Sequence, residues 1–329
     1  LFFSELGLIF LMFMAGLEVQ LTAFKKLRHD IEWLALLNGG LPLLAGVALG
    51  LVFGFSLTAA LLLGIIFMSS SIAVIIPTLE SLHLTERKLG RTIIAATVIV
   101  DVLSLVLLSV LLQSVDPVTA LPLPAFYTIL AVLLTAFAYG LPRLRELMPH
   151  RRDAQDLYES EVRIIFALLI GVVVIFELLG LHPIIASFFA GLVLSESIKS
   201  QILIDKLRTI SYGIFIPVFF VVVGMETDIS VFLDGLPVIG LILAVVSTSL
   251  IAKFGSGWIG GWFLGLRTRD RALVGMATIP QLSTTLAVVY TAVEFGLVPN
   301  TLVTAMVILS LVTTLIAPVG LRQLAGPTS

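Results

Sequence analysis

Two charged residues lie inside long apolar stretches of this sequence, where a charge is costly to bury. Asp101 sits within the apolar segment 98–103, and Lys253 lies near the middle of a second apolar run. At the centre of a bilayer such a charge costs about 2.5–3.5 kcal/mol on insertion scales, so an intramembrane ionisable residue is a functional residue by default. We expect Asp101 to exchange a proton for a cation rather than merely to join two helices. Lys253 is either its structural counter-charge or a gating, proton-carrying amine.

Two polar tracts interrupt other apolar runs, at residues 69–71 and 278–285. Serine, threonine and proline can bend membrane helices without any further role, and one tract alone would be weak evidence. Two tracts at matching depth predict two discontinuous helices that cross in the membrane and offer backbone dipoles to an ion. The residues expected to line this crossing are Ser70, Ser71, Pro280, Gln281, Ser283 and Thr284, with Thr97 one helical turn before Asp101.

The amino-acid composition predicts a protein that is embedded in a lipid bilayer. Of 329 residues, 59% are apolar and 12% are charged, whereas soluble domains have about 45–50% apolar and about 25% charged residues. This excludes a soluble enzyme, a disordered chain and a nucleic-acid binder with a basic face. The sequence has no cysteine and only four scattered histidines, so we expect no thiol chemistry, no structural metal and no cofactor.

Eleven stretches are long and apolar enough to span a bilayer, since a spanning helix needs about 20 residues. They are residues 1–19, 33–55, 57–79, 92–112, 125–140, 164–179, 183–195, 212–224, 238–264, 272–293 and 301–321. With these spans, every Lys and Arg except Lys253 falls on one side. Because positively charged loops stay in the cytoplasm, the N-terminus is predicted outside and the C-terminus in the cytoplasm. The fold class predicted is an all-α, multi-pass membrane protein.

Each interrupted span is the middle member of a triplet. The triplets cover about residues 33–112 and 238–321, and in this topology they enter the membrane from opposite sides. This pattern predicts an inverted repeat whose two broken helices cross at mid-membrane. The symmetry is one of position, because the two triplets show no convincing sequence identity.

Several motifs, in order, resemble the sodium/hydrogen exchanger family, in the bacterial branch that includes the glutathione-gated potassium/proton exchangers. They are residues 7–18, 63–71, 90–102, 187–192, 216–225 and 252–255. The resemblance implies one exchanger domain over residues 1–329, with the triplets as a core that moves like an elevator. It further implies scaffold helices at 1–19 and 164–224, a linking helix at about 125–140, two more helices before Leu1 for a total of thirteen, and a homodimer.

The resemblance also implies roles for individual residues. Asp101 matches the acid that binds the ion or the proton, Ser70 and Ser71 match the polar pair of the broken helix, and Lys253 matches the basic residue facing the acid. Two departures stand out. Val100 replaces the polar residue that usually precedes the acid, and residues 281–283 read Gln-Leu-Ser where the family has Arg-Gly-Glu. The choice of ion and the stoichiometry of exchange therefore stay open.

The function predicted is secondary active exchange of Na⁺ or K⁺ for H⁺ by alternating access in a bacterial inner membrane. The expected partners are the lipid bilayer, a second copy of the chain and a cytosolic regulatory domain outside this chain, with no nucleic acid. The alternatives left open are a ligand-gated cation efflux pathway, a non-transporting sensor and a sodium-coupled organic-anion symporter on the same fold. Voltage-dependent flux without proton coupling would favour the efflux pathway.

Overall fold

The computed structural model describes residues 2–18, 29–115, 154–178, 182–195, 198, 200–227, 230 and 235–325, together with positions 125, 127, 128 and 132. Almost all of these residues are helical, as the apolar spans predict. The linking helix expected at 125–140 lies outside the described residues except for those four positions. The helices are α1 (Phe2–Glu18), α2 (His29–Val52), α3 (Leu57–Met68), α4 (Ile72–Ser81), α5 (Lys88–Val115), α6 (Ala154–Leu178), α7 (Pro183–Ser195), α8 (Gln201–Ile210), a π-helical turn (Ser211–Phe215), α9 (Ile216–Glu226), α10 (Leu236–Phe263), α11 (Thr268–Thr278), α12 (Ser283–Glu294) and α13 (Asn300–Ala325).

Seven segments in the described part of the chain are long and apolar enough to cross a membrane. They are His29–Val52, Leu57–Ser81, Lys88–Val115, Ile202–Met225, Leu236–Phe263, Thr268–Val293 and Asn300–Ala325. The predicted multi-pass helical fold is confirmed at this level. The helices α1 and α7 also coincide with predicted spans, but they have only 17 and 13 residues. The count of eleven spans therefore stays a prediction.

The eighth predicted span, residues 212–224, was drawn too short. The helix begins eleven residues earlier, at Gln201, and α8 continues through the π-helical turn into α9. The charged residues Lys206 and Arg208, which lie outside the predicted span, are part of this helix. Leu203 and Leu207 lie four residues apart and are both buried, so this segment is an amphipathic helix whose apolar face packs while its charges stay outside.

The chain divides into two compact units. The first comprises residues 1–25 and 112–223, and the second comprises residues 26–111 and 224–329. Within the first unit the interior is apolar and aromatic. The ring of Phe10 on α1 stacks on Phe215 with centroids 4.4 Å apart and meets Phe166 edge-on at 5.1 Å.

The second unit contains two helix triplets of the same design. The first comprises α2, the pair α3 and α4, and α5, and the second comprises α10, the pair α11 and α12, and α13. In each triplet the leading helix lies close to the first half of the broken helix. A Cβ atom on Gly46 would lie 2.7 Å from the Gly64 Cα, and one on Gly257 would lie 2.7 Å from the Gly275 Cα. Glycine is required at these contacts because any side chain would push the helices apart.

Candidate ion-binding site at the two helix breaks

The first broken helix is interrupted by the three serines that the sequence singled out. The helix α3 ends at Met68, α4 begins at Ile72, and Ser69 between them is extended with φ −67° and ψ 156°. The Ser69 hydroxyl donates to the Ile66 carbonyl at 3.1 Å, which is the kind of local bond that competes with helix continuation. The break leaves the last carbonyls of α3 and the first N–H groups of α4 without helical partners.

The second broken helix is interrupted at residues 279–282, within the predicted Pro-Gln tract. The helix α11 ends at Thr278 and α12 begins at Ser283. Pro280 has no N–H group to donate, so the helical ladder cannot pass through it. The Thr278 hydroxyl donates to the Gly275 carbonyl at 2.9 Å and lies 2.8 Å from the Lys253 carbonyl. These bonds hold the end of α11 against α10.

The two breaks contact each other directly. The Ser71 N–H donates to the Pro280 carbonyl at 2.6 Å, and the Ser70 hydroxyl donates to the Thr278 carbonyl at 3.1 Å. The hydroxyls of Ser71 and Ser283 lie 3.5 Å apart. Four residues that the sequence placed at the crossing, Ser70, Ser71, Pro280 and Ser283, are thus brought together.

Gln281 fastens the second break to the end of α3. Its side-chain Nε2 donates to the Phe67 carbonyl at 2.9 Å and to the Ser69 carbonyl at 3.3 Å, while its Oε1 accepts from the Ser249 hydroxyl at 2.8 Å. A neutral amide therefore supplies donors to carbonyls that the break exposes.

Asp101 lies on α5 beside the start of α4. Its side chain is buried, and its Oδ1 accepts a hydrogen bond from the Ser70 N–H at 2.9 Å. The N-terminal end of a helix carries partial positive charge, so a carboxylate is electrostatically favoured at this position. The break thus supplies Asp101 with a backbone N–H group and a favourable helix dipole.

Lys253 lies on α10 beside the end of α3, the opposite pole of the same break. Its side chain is only 1% exposed. The Nζ donates to the Met68 carbonyl at 2.5 Å and to the Ser70 hydroxyl at 2.8 Å. A helix C-terminus carries partial negative charge and favours a cation. The two charges therefore occupy the two ends of the break that favour them.

Lys253 and Asp101 are linked through a shared neighbour, Ser70. Among the described residues no ion pair joins these two side chains, and both instead contact Ser70. Lys253 uses the Ser70 hydroxyl and Asp101 uses the Ser70 N–H. The sequence predicted that the two charges share one region, but it could not show that a serine lies between them.

The remaining predicted residues are buried but less closely engaged. The Thr97 hydroxyl has no hydrogen-bond partner among the described residues, although its side chain is almost fully buried. Thr284 is buried in the first turn of α12. Val100 belongs to an apolar cluster that includes Leu34, Ile93 and Val274.

Asn38, Ser249 and Thr313 also contact the site residues, and the sequence did not single them out. Asn38 on α2 is fully buried and lies 3.5 Å from the Lys253 Nζ. Ser249 binds Gln281, and the Thr313 hydroxyl accepts from the Gln281 N–H at 3.2 Å. Each is a polar residue inside an apolar span, and that signal could have flagged all three. Among the described residues there is no group of three or more His, Cys, Asp or Glu side chains that could hold a metal ion.

Comparison with known proteins identifies the family of this chain. Residues 1–325 match the profile of the family described as "Sodium/hydrogen exchanger, transmembrane". The chain belongs to the sodium/hydrogen exchanger family. The resemblance drawn from the sequence is confirmed, and this exchanger-family chain is a secondary transporter and not an enzyme.

Individual relatives cover nearly the whole chain. The "Na(+)/H(+) antiporter" of Enterococcus hirae is 32% identical over 330 residues, which cover 97% of this chain and 83% of that protein. The "Probable Na(+)/H(+) antiporter 3" of Methanocaldococcus jannaschii is 29% identical over 325 residues, 98% of this chain and 82% of that protein. The "Na(+)/H(+)-K(+) antiporter GerN" of Bacillus cereus is 28% identical over 328 residues, 98% and 82% of the two chains.

The fold is shared with a solved structure. The sodium proton antiporter MjNhaP1 from Methanocaldococcus jannaschii, determined at pH 8, superposes with a TM-score of 0.63 over 98% of this chain and 84% of that chain. The sequence identity is 15%, so this match shows a common fold and nothing finer.

Proposed function

We propose that this exchanger-family chain exchanges Na⁺ or K⁺ for H⁺ across a membrane, with Asp101 as the site that both ions share. The observation that carries the proposal is the Asp101 carboxylate, buried beside two helix breaks that contact each other and bonded to the Ser70 N–H at 2.9 Å. A single carboxylate cannot hold a proton and a cation together, so occupancy by one ion requires release of the other. The names of the relatives from Enterococcus hirae and Bacillus cereus agree with such an exchange.

The cation would need more oxygens than one carboxylate supplies. Na⁺ and K⁺ are bound by oxygen ligands, and the break offers hydroxyls at Ser70 and Ser71. The unpartnered Thr97 hydroxyl is a third candidate. Ser70 now donates to the Thr278 carbonyl and accepts from Lys253, so cation binding would require Lys253 to release it. Lys253 is then a counter-charge that yields to the transported ion.

The same proposal includes how the molecule is arranged around this site. The two triplets of the second unit would form an inverted repeat and act as the core that gives alternating access, with helices of the first unit as scaffold. The division of the chain near residues 25, 112 and 223 supports this assignment. We also propose thirteen helices in the full-length protein, a homodimer, a cytosolic regulatory domain, an inner-membrane location and a cytoplasmic C-terminus, the last from the one-sided basic loops.

Exchange in proteoliposomes tests the function. The purified protein should drive Na⁺ or K⁺ flux from an imposed pH gradient, and Asp101→Asn should remove that flux. Asp30→Asn is the matched control, because Asp30 is ion-paired with Lys88 at the surface at 2.6 Å and is unrelated to the breaks. Flux at the wild-type level in Asp101→Asn would defeat the assignment. Voltage-dependent flux without proton coupling would point instead to a channel-like efflux pathway.

A further inference from the structure

We propose that Asn38 is a positioning residue for the exchange, and that its amide oxygen holds the Lys253 ammonium away from Asp101. This inference rests on the proposed exchange at Asp101. It concerns a residue on α2, a helix to which the sequence assigned no part of the site. The feature that points to it is a fully buried amide whose oxygen faces Lys253 and whose nitrogen has no partner.

The Lys253 ammonium has three N–H donors and three neutral oxygens around it. They are the Met68 carbonyl at 2.5 Å, the Ser70 hydroxyl at 2.8 Å and the Asn38 Oδ1 at 3.5 Å. Each acceptor comes from a different part of the fold, namely the end of α3, the break and α2. With its donors occupied in this way, the ammonium does not need a direct ion pair with Asp101.

The orientation of the Asn38 amide is dictated by its neighbours. An ammonium can only donate, so the amide oxygen and not the nitrogen must face Lys253. The Ser256 hydroxyl also approaches this oxygen at 3.4 Å while donating to the Lys253 carbonyl at 2.8 Å. The Asn38 Nδ2 is left without a hydrogen-bond partner among the described residues. A buried amide nitrogen without a partner destabilises the fold. A role of the amide oxygen in exchange would explain why an asparagine is present here despite that cost.

The task follows from what Lys253 would do without Asn38. If the amide oxygen were removed, the ammonium would lose one of its three acceptors and would move toward the nearest carboxylate, Asp101. A direct ion pair would then compete with the transported cation for the same carboxylate. The amide oxygen therefore keeps Asp101 open to the cation and adjusts how strongly Lys253 competes for it.

The test measures KM for the cation and maximal rate separately in proteoliposomes. Asn38→Ala should raise the KM for Na⁺ or K⁺ by at least about fivefold with a smaller effect on the maximal rate, since competition acts on binding. Asn38→Asp should not raise KM, because a carboxylate at this position would hold the ammonium more firmly. Asp30→Asn, a surface change on the same helix as Asn38, should keep the wild-type KM.

A double-mutant cycle separates positioning from mere packing. If Asn38 acts through the ammonium, Asn38→Ala should change KM no further in a Lys253→Ala background. A wild-type KM in Asn38→Ala would overturn the inference, as would an equal rise in Asn38→Asp or the full effect in the Lys253→Ala background. Absence of proton-coupled flux in the wild-type protein would instead overturn the proposed function itself, and the inference with it.

Discussion

The two helix breaks are built alike but carry different charges. In each, a backbone N–H at the break donates to a side chain on the last helix of its triplet. At the first break the Ser70 N–H meets Asp101 at 2.9 Å, and at the second the Gln281 N–H meets the Thr313 hydroxyl at 3.2 Å. The same backbone position thus has a carboxylate in one triplet and a neutral hydroxyl in the other. This difference supports the proposal that the first break carries the ion chemistry and that the second break assists it.

The second break contributes hydrogen bonds to the first. Gln281 reaches across to the carbonyls of Phe67 and Ser69, so its amide completes the hydrogen bonding of the first break. The first break makes reciprocal contacts, because the Ser70 hydroxyl donates to the Thr278 carbonyl and the Ser71 N–H donates to the Pro280 carbonyl. The two breaks therefore make similar backbone contacts, while the buried charged side chains Asp101 and Lys253 both contact the first break.

The largest expected effect separates the two breaks by function. Asp101→Ala should lower pH-gradient-driven cation flux by at least about 100-fold, a change of about 2.7 kcal/mol in the barrier at about 1.36 kcal/mol per tenfold. Thr313→Val, which removes the equivalent acceptor at the second break, should keep flux within about threefold because no ion is held there. Flux assays in proteoliposomes with equal amounts of inserted protein measure both. Equal losses in the two variants would contradict the division of roles.

The next largest effect on exchange is expected at Lys253, the second charged residue that contacts the first break. Lys253→Ala should change the pH profile of exchange and the charge moved per cycle, while the protein still folds and inserts. The reason is that the ammonium is the only cation contacting the break among the described residues, at Ser70 and Met68. Currents on a supported membrane measure the charge movement. Lys88→Ala at the surface is the control, and wild-type currents with a wild-type pH profile in Lys253→Ala would count against a functional lysine.

The smallest effect on transport is expected at Gln281, where stability should change instead. Gln281→Leu removes the donor to the Phe67 and Ser69 carbonyls and the acceptor of the Ser249 hydroxyl. A buried polar group left without a partner costs about 1–3 kcal/mol, so the free energy of unfolding should fall by about that amount. Thermal unfolding in detergent measures it. Unchanged stability together with lost exchange would place ion chemistry at the second break after all.

Much of the fold could be predicted because lipid imposes simple rules on sequence. The length of the apolar runs predicted the spanning helices. The serine tract and the Pro-Gln tract predicted the two breaks, because each disrupts the backbone hydrogen bonds of a helix. The segment 201–210 was missed because its charges hide an apolar face that only burial of Leu203 and Leu207 makes evident.

The charged residues of the candidate site could also be predicted from the sequence, but its uncharged residues could not. Asp101 and Lys253 stand out because their burial in lipid is costly by itself. Asn38, Ser249 and Thr313 are uncharged, and their significance depends on contacts with residues far away in the chain. Asn38 meets Lys253 across 215 positions of sequence. Such a pairing depends on how helices pack and cannot be read from periodicity or spacing.

The central claim is that Asp101 holds either a proton or a cation. Calorimetric titration of the purified protein with Na⁺ and K⁺, repeated in buffers of different ionisation enthalpy, counts the protons released on binding. We expect cation binding to release protons in the wild-type protein and to disappear in Asp101→Asn, while Asp30→Asn binds as the wild type does. Cation binding that releases no protons, or that persists in Asp101→Asn, would contradict the account.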